Sequence, residues 1–159
     1  MERKVKGIPD GVPVVTPRLF CRDPVAEIEF CATTFAAVEL NRRQDADGNT
    51  AHALMTIGPA MIMIESEWPQ VANRAPSPDG SSPVALYVYV ENVDDTVTRA
   101  EAAGARVLAA PADQFWGDRT AWIVDPSGHV WTVATRVEEA TELERKARLA
   151  ELLDRSRHR

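Results

Sequence analysis

Leu19-Phe20-Cys21-Arg22-Asp23-Pro24-Val25-Ala26-Glu27-Ile28 is an apolar strand that stops at an acidic turn and opens a helix at a proline. Val88-Tyr89-Val90-Glu91-Asn92-Val93-Asp94-Asp95-Thr96-Val97 repeats the same plan 69 positions later. Further along, Gly48-Asn49-Thr50 matches Gly117-Asp118-Arg119, and Ile57-Gly58-Pro59-Ala60-Met61 lies over Ser127-Gly128-His129-Val130-Trp131. Self-similarity at a fixed period means a duplicated supersecondary unit, so the chain is read as two βαβββ modules.

Period and punctuation assign the elements of each module. In the first, Val14–Cys21 is a strand, Pro24–Phe35 a helix with proline in its first turn, Val38–Arg43 a strand, and Ala51–Ile57 with Ala60–Glu65 a hairpin. In the second, Val84–Val90 is a strand and Val93–Ala103 a helix ended by Gly104. Arg106–Ala109, Thr120–Val124 and Val130–Thr135 are its remaining strands. The whole, residues 1–159, is expected to be one domain. Module 1 takes about 12–67, a proline-rich linker 68–83, module 2 about 84–136, and a C-terminal amphipathic helix 137–155. That helix either packs on the domain or docks across a dimer interface.

A domain of 159 residues can bury a core without disulfides or metals to staple it. The formal net charge of −6 argues against a nucleic-acid or anionic-membrane surface, which needs clustered Lys and Arg. No run of apolar residues is long enough to span a bilayer, and Met1–Gly11 lacks the apolar stretch of a signal peptide, so the expected compartment is the cytoplasm. Cys21 and Cys31 sit in apolar segments without metal-type spacing and read as reduced, buried thiols.

The run Gln114-Phe115-Trp116-Gly117-Asp118-Arg119, followed by Asp125-Pro126-Ser127-Gly128-His129-Val130-Trp131, resembles the signature of the PhnB-like branch of the vicinal oxygen chelate superfamily, which includes glyoxalases, bleomycin resistance proteins and extradiol dioxygenases. Pro17–Phe20, Phe35–Leu40 and His52–Gly58 support the likeness, which covers about residues 12–145. One departure is Ala36, where the branch usually carries glycine. The resemblance implies an α+β fold in which paired βαβββ modules form an open, incompletely closed mixed-sheet barrel, with helices outside and a ligand cleft inside. It also implies a homodimer.

Metal-using members of the superfamily hold a divalent ion with His or Glu at one position in each of the first, fourth, fifth and eighth strands. Counted from the turns, those positions fall here on Thr16, Ile62 or Met63, Ala85 and Thr132, none of them a strong ligand. No metal site and no cofactor is therefore expected. His129 reads as a turn residue, and His52 with Glu65 as a cross-strand pair that is structural, ligand-contacting or part of a metal site.

Strand alternation puts Val84, Leu86, Val88 and Val90 toward a helix, and Ala85, Tyr87 and Tyr89 on the other face. By the same parity Thr16, Arg18 and Phe20 share the face opposite Val15, Leu19 and Cys21. The candidate ligand-binding residues are therefore Arg18, Phe20, Tyr87, Tyr89, Phe115, Trp116 and Trp122. Trp122 is divided between core and ligand contact, whereas Trp131 and the methionines Met55, Met61 and Met63 read as core or flexible lining. Arg18 either grips an anionic ligand or pairs with an acid such as Glu91 or Asp118, and Arg119 braces its own hairpin.

No nucleophile with its base, no opposed carboxylates, and no phosphate or dinucleotide loop occurs at recognisable spacing. The reading leans toward a protein that binds a small, partly aromatic organic molecule without transforming it. The alternative is a divalent-metal-dependent lyase, isomerase or dioxygenase. Methyl transfer is set aside because no suitable glycine loop follows a strand.

Overall fold

Two capping carboxamide or carboxylate side chains start the helices that organise the molecule. In the computed structural model, which describes residues 5–68, 70, 73–77, 79 and 81–157, Asp23 accepts from the backbone of Val25 and Ala26 at 3.1 Å each, opening α1 (Pro24–Phe35). Asn92 accepts from Asp95 N at 3.1 Å and opens α2 (Val93–Ala102). Helix α1 ends at Ala36, which adopts the left-handed conformation with φ 53°. The glycine usual at this place would take that φ without a steric penalty.

Around α1 the first module places β1 (Arg18–Cys21), β2 (Val38–Gln44), β3 (Thr50–Ile57) and β4 (Ala60–Ser66) in one sheet of order β1-β4-β3-β2. The second places β5 (Ala85–Tyr89), β6 (Arg106–Asp113), β7 (Asp118–Val124) and β8 (Val130–Arg136) around α2 in the matching order β5-β8-β7-β6. In both, the outer pair β1·β4 or β5·β8 is parallel and the others are antiparallel. The α+β class and the duplicated module are thus as the sequence predicts.

One hydrophobic cluster serves both halves. Leu19, Cys21, Met55 and Ile64 of the first sheet, Ile28 and Cys31 of α1, Val93 and Val97 of α2, and Ile123, Trp131 and Val133 of the second sheet all belong to it. Helix α1 packs on β3 and β4 and against α2, while α2 packs on β6, β7 and β8. No strand of one sheet comes into close backbone contact with a strand of the other. The barrel is accordingly open, and each sheet turns its second face away from the helices.

The joint between the modules also carries polar pins. His129 Nε2 lies 3.0 Å from the Phe20 carbonyl oxygen, Arg22 donates to the Ser127 carbonyl at 2.8 Å, and the Phe35 and Trp131 rings stand 4.7 Å apart. Trp131, 2% exposed, is core as expected, with its indole N–H given to Asp125 Oδ2 at 2.8 Å.

Three expectations need correction. The strand predicted over Val14–Cys21 starts only at Arg18, because Pro13 and Pro17 have no N–H for a ladder, and Val14 and Val15 are left 82% and 81% exposed. Strand β6 runs past Ala109 to Asp113 through register irregularities, and its Pro111 is tolerated on the sheet edge. The C-terminal helix α3 (Glu142–Arg157) starts five residues later than expected, has no buried residue among those described, and touches the second module through Arg148, which donates to the Phe115 carbonyl at 3.4 Å. Thr141 and Glu144 form a capping box at its start, and Arg148 ties it to Glu138 at 2.6 and 2.8 Å. Within the linker, Pro69, Val71, Ala72, Pro78 and Gly80 lie outside the described residues.

Candidate functional site

The face of the second sheet turned away from α2 is organised by one carboxylate that the aromatic count overlooks. Asp118 is 1% exposed, at the start of β7. Its Oδ2 accepts the hydroxyls of Tyr87 and Tyr89 at 2.8 Å each and the Trp116 indole N–H at 3.1 Å. Its Oδ1 accepts from Arg136 Nε at 2.5 Å, on the residue directly opposite in β8. Tyr87 and Tyr89 alternate on β5, so both rings rise from one face and reach across β8 to the same oxygen.

Charge follows from this geometry. Burial alone would raise the Asp118 carboxyl, but Arg136 and the three neutral donors outweigh it and hold the group below its ordinary value. The same burial, with the hydrogen bond to Asp118, pushes the Tyr87 hydroxyl up. Both phenols and the indole N–H are thus spent internally. What the cluster offers a ligand is a wall of π faces, with the Tyr rings 5.4 Å apart and Phe115 packed edge-on against Trp116 at 4.9 Å.

A groove of about 890 Å³ runs beside this wall, between the two modules. Tyr87, Tyr89 and Arg136 bound one side, and Val15, Pro17 and Met61 of the first module the other. Tyr87 and Tyr89 remain 49% and 55% exposed.

The structure brings Tyr87, Tyr89, Phe115 and Trp116 together. Trp122 shares their sheet face, opposite Thr132, and is 52% exposed, which resolves it as a surface residue rather than core. Arg18 and Phe20 belong to the open face of the first sheet and do not meet the others within one chain. There Arg18 stacks on Phe20 at 5.2 Å and forks onto Glu65, with Nε–Oε1 and Nη2–Oε2 both 3.1 Å. Glu65, not Glu91 or Asp118, is therefore its partner. Glu65 Oε1 also lies 3.1 Å from His52 Nδ1, so the expected cross-strand pair exists and includes Arg18. Arg119 braces its hairpin through Asp113 at 3.0 Å and also grips Asp94 of α2 at 2.8 and 2.9 Å.

None of the counted positions Thr16, Ile62 or Met63, Ala85 and Thr132 carries an imidazole or a carboxylate. Thr16 precedes the strand, Met63 lies opposite Arg18, Ala85 has no donor atom, and Thr132 faces Trp122. Among the described residues no three His, Cys, Asp or Glu side chains group as ligands would.

A family model described as Glyoxalase/Bleomycin resistance protein/Dioxygenase superfamily matches residues 18–133, most of both modules. The chain belongs to the glyoxalase/bleomycin resistance protein/dioxygenase superfamily. An uncharacterized protein of Mycobacterium bovis is 36% identical over 130 residues, spanning 80% of this chain and 86% of that protein. An uncharacterized protein of Mycobacterium tuberculosis is equally similar, over 80% of this chain and 76% of its own. Among solved structures, TioX from Micromonospora sp. ML1 matches with a TM-score of 0.59 at 24% identity, covering 77% of this chain and 98% of its own. A glyoxalase-related enzyme from Fulvimarina pelagi matches with a TM-score of 0.61 at 19% identity, covering 77% and 87%. At such identities these structures show that the superfamily fold is shared.

The signal that would have found Asp118 lies in the sequence: an acid just after an aromatic loop, with an arginine 18 positions on. The pairing that makes it a hub is tertiary. No helix among the described residues is long and apolar enough to cross a membrane.

Proposed function

We propose that this superfamily member, read as PhnB-like, binds a small, partly planar organic molecule against the ring wall, as a homodimer, without metal or other cofactor. The observation that carries this reading is Asp118, whose four hydrogen bonds fix Tyr87, Tyr89 and Trp116 beside the inter-module groove. Rings held in advance cost little entropy on binding, which is what an aromatic ligand site needs.

The homodimer is supported by what a single chain leaves uncovered. Among the described residues edge strand β5 has no partner on its outer side, and Tyr87, Tyr89, Trp122, Val38 and Leu40 are about half exposed. A second copy is the surface most able to cover both open sheets. The alternative, a divalent-metal-dependent lyase, isomerase or dioxygenase, finds no imidazole or carboxylate at Thr16, Ile62 or Met63, Ala85 or Thr132.

Tryptophan fluorescence titrated with neutral planar aromatics tests the binding. A saturable change, weakened about tenfold by Tyr89→Ala, is expected. A flat response across a broad panel overturns the reading. About one tightly held metal per chain after purification without chelator would favour the alternative instead.

A further inference from the structure

The open face of the first sheet holds a second arrangement of charges, away from the ring wall. Arg43 of β2, His52 of β3, Glu65 of β4 and Phe20 of β1 stand in register as one row across the sheet, with Arg18 and Met63 paired on the adjacent part of the same face. Directly opposed residues on one face bring their side chains together. Arg18, Arg43, His52, Glu65, Met63 and Trp68 line one pocket of about 590 Å³.

Its charges do not cancel. Among the described residues Glu65 is the only acid lining the pocket, and its carboxylate is already taken, by the Arg18 fork through both oxygens and by His52 Nδ1. Burial would raise the Glu65 carboxyl, yet Arg18 and His52 outweigh it and keep the group ionised below its ordinary value. Arg43 is exposed, and among the described residues no carboxylate comes within salt-bridge distance of it. Among the described residues its five N–H donors are free. On a chain of net charge −6, this is a local reversal of sign.

We infer that this pocket is a binding site for an aromatic carboxylate, with Arg43 as the guanidinium fork and Trp68 and Met63 as the apolar surface for the ring. A planar fork with unspent donors matches the two oxygens of a carboxylate. The half-exposed Trp68 ring gives the aromatic portion a face to stack on. Glu65 positions His52 and Arg18 and does not touch the ligand. The site uses neither Tyr87 nor Tyr89, so it stands whether or not the ring wall binds neutral aromatics.

Calorimetric titration of the full chain with benzoate and with its uncharged analogue benzamide tests this. Benzoate is expected to bind about tenfold or more tighter, with Arg43→Gln losing most of that preference while Tyr89→Ala keeps it. Arg43 is exposed and outside the core, so Arg43→Gln should melt like the wild type, and thermal melting of the variant checks that. Equal affinity for benzoate and benzamide, or unchanged benzoate binding in a folded Arg43→Gln protein, overturns the inference. Benzoate binding with no response to neutral aromatics would leave this site standing and remove the proposed ring-wall function instead.

Discussion

The Tyr87 hydroxyl reaches across the whole width of β8 to donate to Asp118 Oδ2 at 2.8 Å, joining the outer edge strand of the second sheet to its third strand. Asp118→Asn would keep the shape but turn one oxygen into a donor that faces donors, and would leave Arg136 without its partner. A loss of about 2–3 kcal/mol is expected, less than the roughly 3–5 kcal/mol of a fully buried pair because Arg136 is partly exposed. For a chain of this length that is a melting temperature lower by roughly 5–10 °C. A variant that melts within a degree or two of wild type would show that Asp118 does not hold the wall.

The same carboxylate sets an acid limit. Its folded pKa is depressed, so its contribution is complete above the unfolded carboxylate value, about 3.9, and is lost as pH falls through the lower folded value. Denaturant unfolding followed from about pH 6 downward should show wild-type stability converging on that of Asp118→Asn. Parallel curves would contradict the assignment.

Glu27 behaves in the opposite sense. It is 0% exposed in α1, with Oε2 lacking a hydrogen-bond partner, and burial, then the nearby Asp125 charge, push its carboxyl well above the ordinary value. A raised folded pKa means the contribution is full below about pH 4.3 and erodes as pH rises toward the folded value. Glu27→Gln removes that titration, so its stability relative to wild type should grow with pH over this window. A difference that stays constant between about pH 4 and pH 8 would refute this account.

Ala36 offers a gain. Its side chain is exposed and its φ of 53° is strained for a residue with a Cβ. Ala36→Gly should stabilise the chain by about 1 kcal/mol, or roughly 2–4 °C in melting temperature. A lower melting temperature would mean that the glycine's extra unfolded-state entropy outweighs the relief.

Gly117 allows no such freedom. At φ 99° its Cα faces the backbone of Glu138, where an added Cβ would collide with the carbonyl oxygen, and its own carbonyl accepts from Val137 and Glu138 at 3.0 Å each. Gly117→Ala should cost more than about 2 kcal/mol and displace Trp116 and Asp118 on either side. Retained near-ultraviolet circular dichroism in a variant that melts like wild type would overturn this.

The duplicated module was legible because a strand, an acidic cap and a helix recur at one spacing, and each is a local preference. Helix α1 matches its expected span of Pro24–Phe35 for that reason. So does the face-sorting of Tyr87 and Tyr89 away from Leu86 and Val88, since alternation needs only a strand. Partners are another matter. Arg18 had Glu91 and Asp118 in view and took Glu65 instead, because a parallel β1·β4 pairing sets Phe20 opposite Glu65 and brings Arg18 alongside. Asp118 became a hub only when β5, β7 and β8 lay side by side.

The sequence by itself determined the two βαβββ units, their capped helices and the candidate aromatic residues, all of them properties of residue type and short-range period. Only the tertiary structure decided that the aromatic residues converge on Asp118 while Arg18 and Phe20 go to a different sheet, and that Arg43 joins His52 beside a spent Glu65. Those outcomes depend on strand order and register, which follow from how two modules bury their apolar faces against a shared pair of helices, and no stretch of sequence contains that information locally.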